Sequence, residues 1–193
     1  MNVMLVGVGG QGAILTSRIL TQGLIRAGFD VKMSEVHGMA QRGGSVSTQV
    51  RYGEKVYSPL FGKGAGDVMV AFERMEALRY AAFLKPGGLA VVNDYRITPM
   101  SVAAGGASYP EDAVGAMAEK FRTVAVKAGD IAVELGNARC MNVVLFGALA
   151  RALGLTDLPG VDWEEVVRSV VPEKLVELNL AAYKAGLAAG IEN

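Results

Sequence analysis

Thiols and imidazoles are almost absent from this chain. Its 193 residues include one cysteine, Cys140, and one histidine, His37. A single thiol excludes an internal disulfide. It also excludes an iron–sulfur cluster held by this chain alone, because such clusters take several thiolates. A zinc site built from histidine and cysteine lacks its ligands for the same reason. Charge of one sign is missing as well: 19 basic residues match 19 acidic ones. No basic field is therefore available to gather nucleic acid or an anionic membrane surface. Nor is there an uninterrupted apolar run of about 20 residues, the length a membrane span needs. The longest apolar stretch, 141–153, is broken by Asn142 and Arg151. No basic region precedes the first apolar run, Val3 to Val6, so no signal peptide is expected. These absences lead to the expectation of a soluble, cytoplasmic protein with no metal site of its own that binds neither nucleic acid nor membrane.

What is present is a core. Hydrophobic residues make up 51% of the chain and charged ones 20%, a globular composition. A chain of this size buries about 70% of its unfolded surface. No internal repeat or low-complexity linker divides it, so one domain over residues 1–193 is expected.

Short apolar runs alternate with helical periodicity. Val3 to Val6, 67–72 and 89–93 read as strands buried on both faces. Ile14, Leu15, Ile19, Leu20, Leu24 and Ile25 recur at helical spacing and stop at Gly28. Val31, Met33 and Val36 form a second strand. Val46, Thr48, Val50 and Tyr52 alternate with polar residues, a period of two. Gly53-Glu54-Lys55 is turn chemistry, which makes 56–58 the returning strand of a hairpin. Helices are expected over 73–84 and 111–121, a strand over 123–127, and mostly helix from Ile131 onward. Alternation of this kind predicts an α/β fold: three-layer and Rossmann-like, with a mostly parallel sheet, a β-hairpin insertion and a helical C-terminal third.

Two glycine-rich loops stand out. The first, Gly7-Val8-Gly9-Gly10-Gln11-Gly12, lies between a strand and a helix, the context a dinucleotide fingerprint requires. Its glycines permit a tight turn, close approach of backbone to a pyrophosphate, and close packing. The unpaired N–H groups and dipole of the following helix favour an anion there. Glu35 ends the second strand, about where a ribose-binding carboxylate stands in such folds. The alternative is that the glycines only build a turn.

The second loop is His37-Gly38-Met39-Ala40-Gln41-Arg42-Gly43-Gly44. Arg42 suits bidentate pairing with a phosphate or carboxylate, and Gly43 and Gly44 suit a nest of backbone N–H groups. His37 is either an acid–base group or a structural histidine at a strand end. Further along, Asn137, Arg139 and Asn142 cluster at a helix start, suited to reaching a ligand or to capping. Cys140 reads as a small buried residue and Trp163 as core.

The two loops in this order, with Ser58-Pro59 and Gly136-Asn137 followed by Arg139 and Asn142, resemble the γ-type domain of 2-oxoacid:ferredoxin oxidoreductases, and within that family the indolepyruvate type. The resemblance runs roughly from residue 1 to 185. It implies a subunit of an enzyme that oxidatively decarboxylates a 2-oxoacid, such as an arylpyruvate, with coenzyme A and ferredoxin, and that is inactive alone. Thiamine diphosphate and the 4Fe–4S clusters would belong to a large partner subunit, and ferredoxin would be met through the complex. Coenzyme A phosphates would fall to one of the two loops. The chain lacks the Gly-Asp-Gly start and downstream Asn-Asn of a thiamine site. The site residues so implied are Gly7, Gly9, Gly10, Gln11, Gly12, Glu35, Gly43, Gly44, Asn137, Arg139 and Asn142, with His37 and Arg42 as catalytic candidates. A homodimer is left open for the isolated chain. Three other readings stay open: a free-standing NAD(P)-dependent dehydrogenase, resting on the first loop and Glu35; a non-catalytic nucleotide-sensing module; and a methyltransferase using S-adenosylmethionine.

Overall fold

The computed structural model describes residues 1–37 and 43–190. Among these residues, six strands form one sheet: β1 (Asn2–Val8), β2 (Asp30–His37), β3 (Ser45–Gly53), β4 (Gly66–Ala71), β5 (Leu84–Asn93) and β6 (Arg122–Val126). The helices are α1 (Ala13–Arg26), α2 (Arg74–Tyr80), α3 (Met100–Ala103), α4 (Ala113–Ala118), α5 (Ala128–Glu134), α6 (Met141–Ala152), α7 (Trp163–Val170) and α8 (Val176–Ala189).

The strand order is β2-β3-β1-β4-β5-β6. Strands β1, β4, β5 and β6 pair in parallel. Strand β3 runs antiparallel to both its neighbours, β1 and β2. Alternate residues on the central strands feed two cores. Val3, Leu5, Val68, Val70 and Val91 pack with α1 and α5 to α8, while Met4, Val6, Met69, Ala71 and Val92 pack with Ala77 and Met117 on the other face. The three-layer α/β expectation is borne out.

Helix α6 is buried from Met141 through Ala150, as a helix apolar on all sides must be. Glycines let α8 approach it closely. A Cβ on Gly186 would lie 2.0 Å from the Val144 carbonyl oxygen, and one on Gly147 would lie 2.3 Å from that of Tyr183. Trp163 is core as expected: it tilts against Phe146 and its indole N–H donates to the Leu155 carbonyl at 2.7 Å.

Two expectations fail locally. The hairpin partner of β3 is β2, which precedes it, and residues 54–58 form no strand. Both edges of β3 are occupied by β1 and β2, so a returning strand has no free ladder to join. Instead the Asp30 carboxylate accepts the Val56 N–H at 2.9 Å, and the Arg51 guanidinium donates to the carbonyls of Ser58 and Leu60. The helix expected over 73–84 ends at Tyr80, followed by a 3₁₀ turn at Ala81–Phe83. The segment Lys85-Pro86-Gly87-Gly88 lies inside β5, as a register break: Gly66 pairs with Leu84 but Val68 with Leu89. The last helix starts at Val176, because a 3₁₀ turn, Glu173–Leu175, follows Pro172.

Candidate functional site

The carboxyl ends of β1, β2, β4, β5 and β6 share one edge of the sheet with the start of β3, and open α/β sheets bind ligands at such an edge. The first glycine loop lies there, as do Gly43 and Gly44 of the second. The last glycine of the first loop, Gly12, is the N-cap of α1 and has φ +85°. A Cβ there would lie 2.3 Å from Asn142 Nδ2 and 2.8 Å from its Cγ. Gly7 is crowded in the same way, since its Cβ would lie 2.8 Å from Phe72 Cβ. Gln11 acts as a strand staple: its Oε1 accepts the Val8 N–H at 2.7 Å and its Nε2 donates to the Phe72 carbonyl at 2.8 Å. Three of the five candidates in this loop therefore have packing or bonding duties that explain them without a ligand. The exposed turn is left to Gly9 and Gly10, followed by the first N–H groups of α1, which no side chain caps.

The two loops are bonded to each other. The Gly9 N–H donates to the Gly44 carbonyl at 2.8 Å, and the Gly43 N–H donates to the Gly9 carbonyl at 3.4 Å. His37 ends β2 opposite Val46. The His37 side chain and the whole of Arg42 lie outside the described residues.

Asn142 joins the first loop from the far side. Its buried amide donates to the Gly12 carbonyl at 3.4 Å, and its backbone carbonyl accepts the Thr16 hydroxyl at 3.2 Å. Asn137 caps the 3₁₀ turn before α6 by accepting the Arg139 N–H at 3.0 Å, while the Arg139 side chain is exposed. Cys140 is buried, its thiol donates to the Asn137 carbonyl, and burial pushes that thiol's pKa up, away from a reactive thiolate.

A second set of side chains at this edge escaped the sequence reading. Glu73 follows β4, caps α2 by accepting the Glu76 N–H at 3.0 Å, and accepts the Ile97 N–H and the Tyr109 hydroxyl. Burial, then the bond to Glu73 and its charge, holds the Tyr109 phenol well above its ordinary pKa. Glu76 accepts the Ser45 hydroxyl and Arg79 Nε. Asn93, at the end of β5, donates to the Phe72 carbonyl and accepts the Ala128 N–H. A charged or amide residue directly after a buried apolar strand was the available signal for Glu73 and Asn93.

A pocket of about 300 Å³ opens beside the first loop, lined by residues 8–14, Glu35, Val36 and residues 46–48. Its walls are chiefly apolar, and Glu35 is the one charged side chain among its described lining residues. The dinucleotide geometry fails here for a topological reason. β3 lies between β1 and β2, so Glu35 pairs with Thr48, and Thr48 with Leu5. That is two strand spacings, about 10 Å, where a ribose-binding carboxylate stands one spacing away. The pocket is also at the small end of the ligand range, about 300–1,000 Å³. Among the described residues, no group of three or more His, Cys, Asp or Glu side chains is placed to hold a metal ion, and no helix is long and apolar enough to cross a membrane.

Comparison with known proteins agrees with this geometry. Residues 2–189 match the pyruvate ferredoxin/flavodoxin oxidoreductase family. The chain is 44% identical to the indolepyruvate oxidoreductase subunit IorB of Archaeoglobus fulgidus, over 96% of this chain and 93% of that one. It is 40% identical to the Pyrococcus horikoshii subunit of the same name, over 99% and 96%. Identity falls to 30% for the ketoisovalerate oxidoreductase subunit VorA of Methanothermobacter thermautotrophicus, of whose length this chain covers 37%, and to 28% for the 2-oxoglutarate synthase subunit KorC of that organism. Among solved structures, the keto/oxoacid ferredoxin oxidoreductase γ subunit of Geobacter sulfurreducens superposes with a TM-score of 0.70 at 26% identity, covering 98% of this chain and 97% of that one. None of these relatives supports a free-standing NAD(P) dehydrogenase. The chain belongs to the pyruvate ferredoxin/flavodoxin oxidoreductase family, whose members matched here are subunits of multi-subunit 2-oxoacid oxidoreductases.

Proposed function

We propose that this chain is the small subunit, a single γ-type domain, of a cytoplasmic indolepyruvate or arylpyruvate:ferredoxin oxidoreductase. The observation that carries the substrate class is the order of identity: 34–44% over nearly the whole chain to subunits named for indolepyruvate, against 27–30% to those named for 2-oxoglutarate, ketoisovalerate or pyruvate/ketoisovalerate. In the reaction, the bond between the carboxylate and the keto carbon breaks. Carbon dioxide leaves, the thiol of coenzyme A releases its proton and forms a thioester with the former keto carbon, and two electrons pass to ferredoxin. Thiamine diphosphate supplies the electron sink for decarboxylation and 4Fe–4S clusters carry the electrons, both on a large partner subunit, because one buried cysteine does not fit a cluster.

The part of this chain is binding and orientation. We assign the Gly9–Gly10 turn, the uncapped start of α1 and the Gly43–Gly44 segment to an anionic group of coenzyme A, with Arg42 as the paired cation and His37 beside them. The backbone N–H groups at the start of α1 favour an anion, and Gly9 is bonded to both Gly43 and Gly44. Glu35 would then face a hydroxyl or amide of the ligand. Arg139, exposed near Asn142, is assigned to the surface that meets the large subunit.

The test is reconstitution. The chain is expected to co-purify with a large thiamine and iron–sulfur subunit, and the pair to reduce a viologen dye only with both an arylpyruvate and coenzyme A. Full activity of the large subunit alone, or a preference for 2-oxoglutarate or pyruvate, overturns the proposal.

A further inference from the structure

Glu76 is a buried carboxylate on α2, and its bonding pattern calls for a reason. Its side chain is 3% exposed, while its ionic partner Arg79, at 2.9 Å, is 51% exposed. Withdrawing a carboxylate from water costs several kcal/mol, and a half-exposed arginine returns little of that. An apolar residue of similar size would pack at this place on α2 at lower cost. What Glu76 gains is a grip on another element: its Oε2 accepts the Ser45 hydroxyl at 2.5 Å. Ser45 has one hydroxyl proton, already given to Glu76, so its oxygen is free to accept from the Tyr80 hydroxyl, 3.2 Å away. Two side chains of α2 thus fix one hydroxyl.

Ser45 is the first residue of β3 and directly follows Gly44, whose carbonyl holds the Gly9 N–H. α2 is itself fixed: Glu73, buried at its N-cap, accepts the Glu76 N–H and is held in turn by Tyr109 and the Ile97 N–H. A small pocket of about 160 Å³ lies beside this network, lined by Val8, Gly43, Ser45, Glu73, Glu76 and Ile97 among others. The chain of contacts runs α2, Glu76, Ser45, Gly44, Gly9, and each link is a hydrogen bond or a peptide bond.

We propose that Glu76, acting through Ser45, is a positioning residue: it sets where the paired glycine loops stand, and so the affinity of the enzyme for the anionic group of coenzyme A. The inference rests on the reading of the preceding subsection. The effect of Glu76, passed on through Ser45, is confined to the ligand those loops hold.

The experiment uses the reconstituted complex with the large subunit and measures KM separately for coenzyme A and for the arylpyruvate, with a viologen as acceptor. Ser45→Ala removes one oxygen and no packing carbon, so it folds even where Glu76→Ala does not. Expected are a KM for coenzyme A raised about tenfold in Ser45→Ala and in Glu76→Ala, the range for loss of one buried charge-assisted bond. Arylpyruvate KM and subunit stoichiometry are expected within about twofold of the parent, within the scatter of a surface substitution. Ser45→Thr, which keeps the hydroxyl, restores the parent KM. The Ser45→Ala/Glu76→Ala pair raises KM no further than either single change. An active parent complex with unchanged coenzyme A KM in Ser45→Ala overturns the inference while leaving the proposed function standing. Equal rises in both KM values, or failure of threonine to rescue, reduce Ser45 and Glu76 to fold maintenance and also overturn it. A parent complex with no 2-oxoacid-dependent activity overturns the proposed function, and the inference with it.

Discussion

Gly12→Ala separates what the glycine loop does for the fold from what it does for a ligand. Gly12 has φ +85°, where an alanine costs about 1–2 kcal/mol of backbone strain. A Cβ there would also stand 2.3 to 3.0 Å from three atoms of Asn142, including its Cβ. Asn142 is buried and bonded at both ends, to the Gly12 carbonyl and the Val143 N–H, so it has little room to yield. Overpacking of this kind adds about 1–3 kcal/mol, for a total of roughly 2–5 kcal/mol. At about 2–4 °C per kcal/mol for a chain of this size, the isolated, ligand-free subunit melts several degrees to well over 10 °C lower. Gly28→Ala is the control. Its φ is +87° and its Cβ meets nothing within 4 Å, so it bears the backbone cost alone, about 1–2 kcal/mol. Asn142→Ala in the Gly12→Ala background removes the two closest contacts, those at 2.3 and 2.8 Å, and leaves the Cβ at 3.0 Å, so the double variant should lose at least about 1 kcal/mol less than the sum of the singles. Urea midpoints at constant slope measure all four proteins. Equal destabilisation by Gly12→Ala and Gly28→Ala, or an additive cycle with Asn142→Ala, refutes the packing role.

Other outcomes are fixed by neighbouring features. Gly186→Ala drives a Cβ to 2.0 Å from the Val144 carbonyl oxygen; backbone cannot yield as a side chain does, so a loss of at least about 3 kcal/mol, or insoluble expression, is expected. Gln11→Ala leaves the Val8 N–H without its side-chain partner and the Phe72 carbonyl with Asn93 alone, a cost of about 1–3 kcal/mol by urea denaturation. The Tyr183 phenol is pushed up to about 12 by burial and then by the charges of Glu164 and Asp162. The folded state therefore holds its proton more tightly than the unfolded state. The resulting stability, about 2–3 kcal/mol, is fully present below pH 10 and lost as pH rises toward 12. Tyr183→Phe should flatten that alkaline decline, as read by circular dichroism. Calorimetry of the isolated chain with NADH should show no binding, since β3 separates Glu35 from β1.

The sequence exposed those elements whose signal is local. The apolar runs of β1 and β4 are buried on both faces, and the periodicity of α1 ends at the glycine that also ends its helix. Strand pairing was hidden. The alternation along 46–52 marks a strand but carries nothing about which neighbour it joins, and the turn chemistry at Gly53 pointed to the wrong side. β3 instead slots between β1 and β2, which moves Glu35 a full strand away from the loop it seemed to complete. Site residues divided in the same way. The glycine loops were visible as spacing, but their mutual bonds join Gly9 to Gly44, and Asn142 reaches Gly12 across 130 positions. Gln11 looked like a ligand residue because its partner, the Phe72 carbonyl, lies just past the end of β4, 61 positions along the chain. Glu73, Glu76 and Tyr109 drew no notice because their meaning lies in a buried network that only the fold assembles.

The central claim is that this chain completes an arylpyruvate oxidoreductase rather than acting alone. Dye reduction by the large subunit should be followed as this chain is titrated in, with indolepyruvate and coenzyme A present. The account predicts that activity rises to a plateau at a fixed subunit ratio and vanishes when either small molecule is omitted. Activity independent of this chain, or indifferent to coenzyme A, contradicts it.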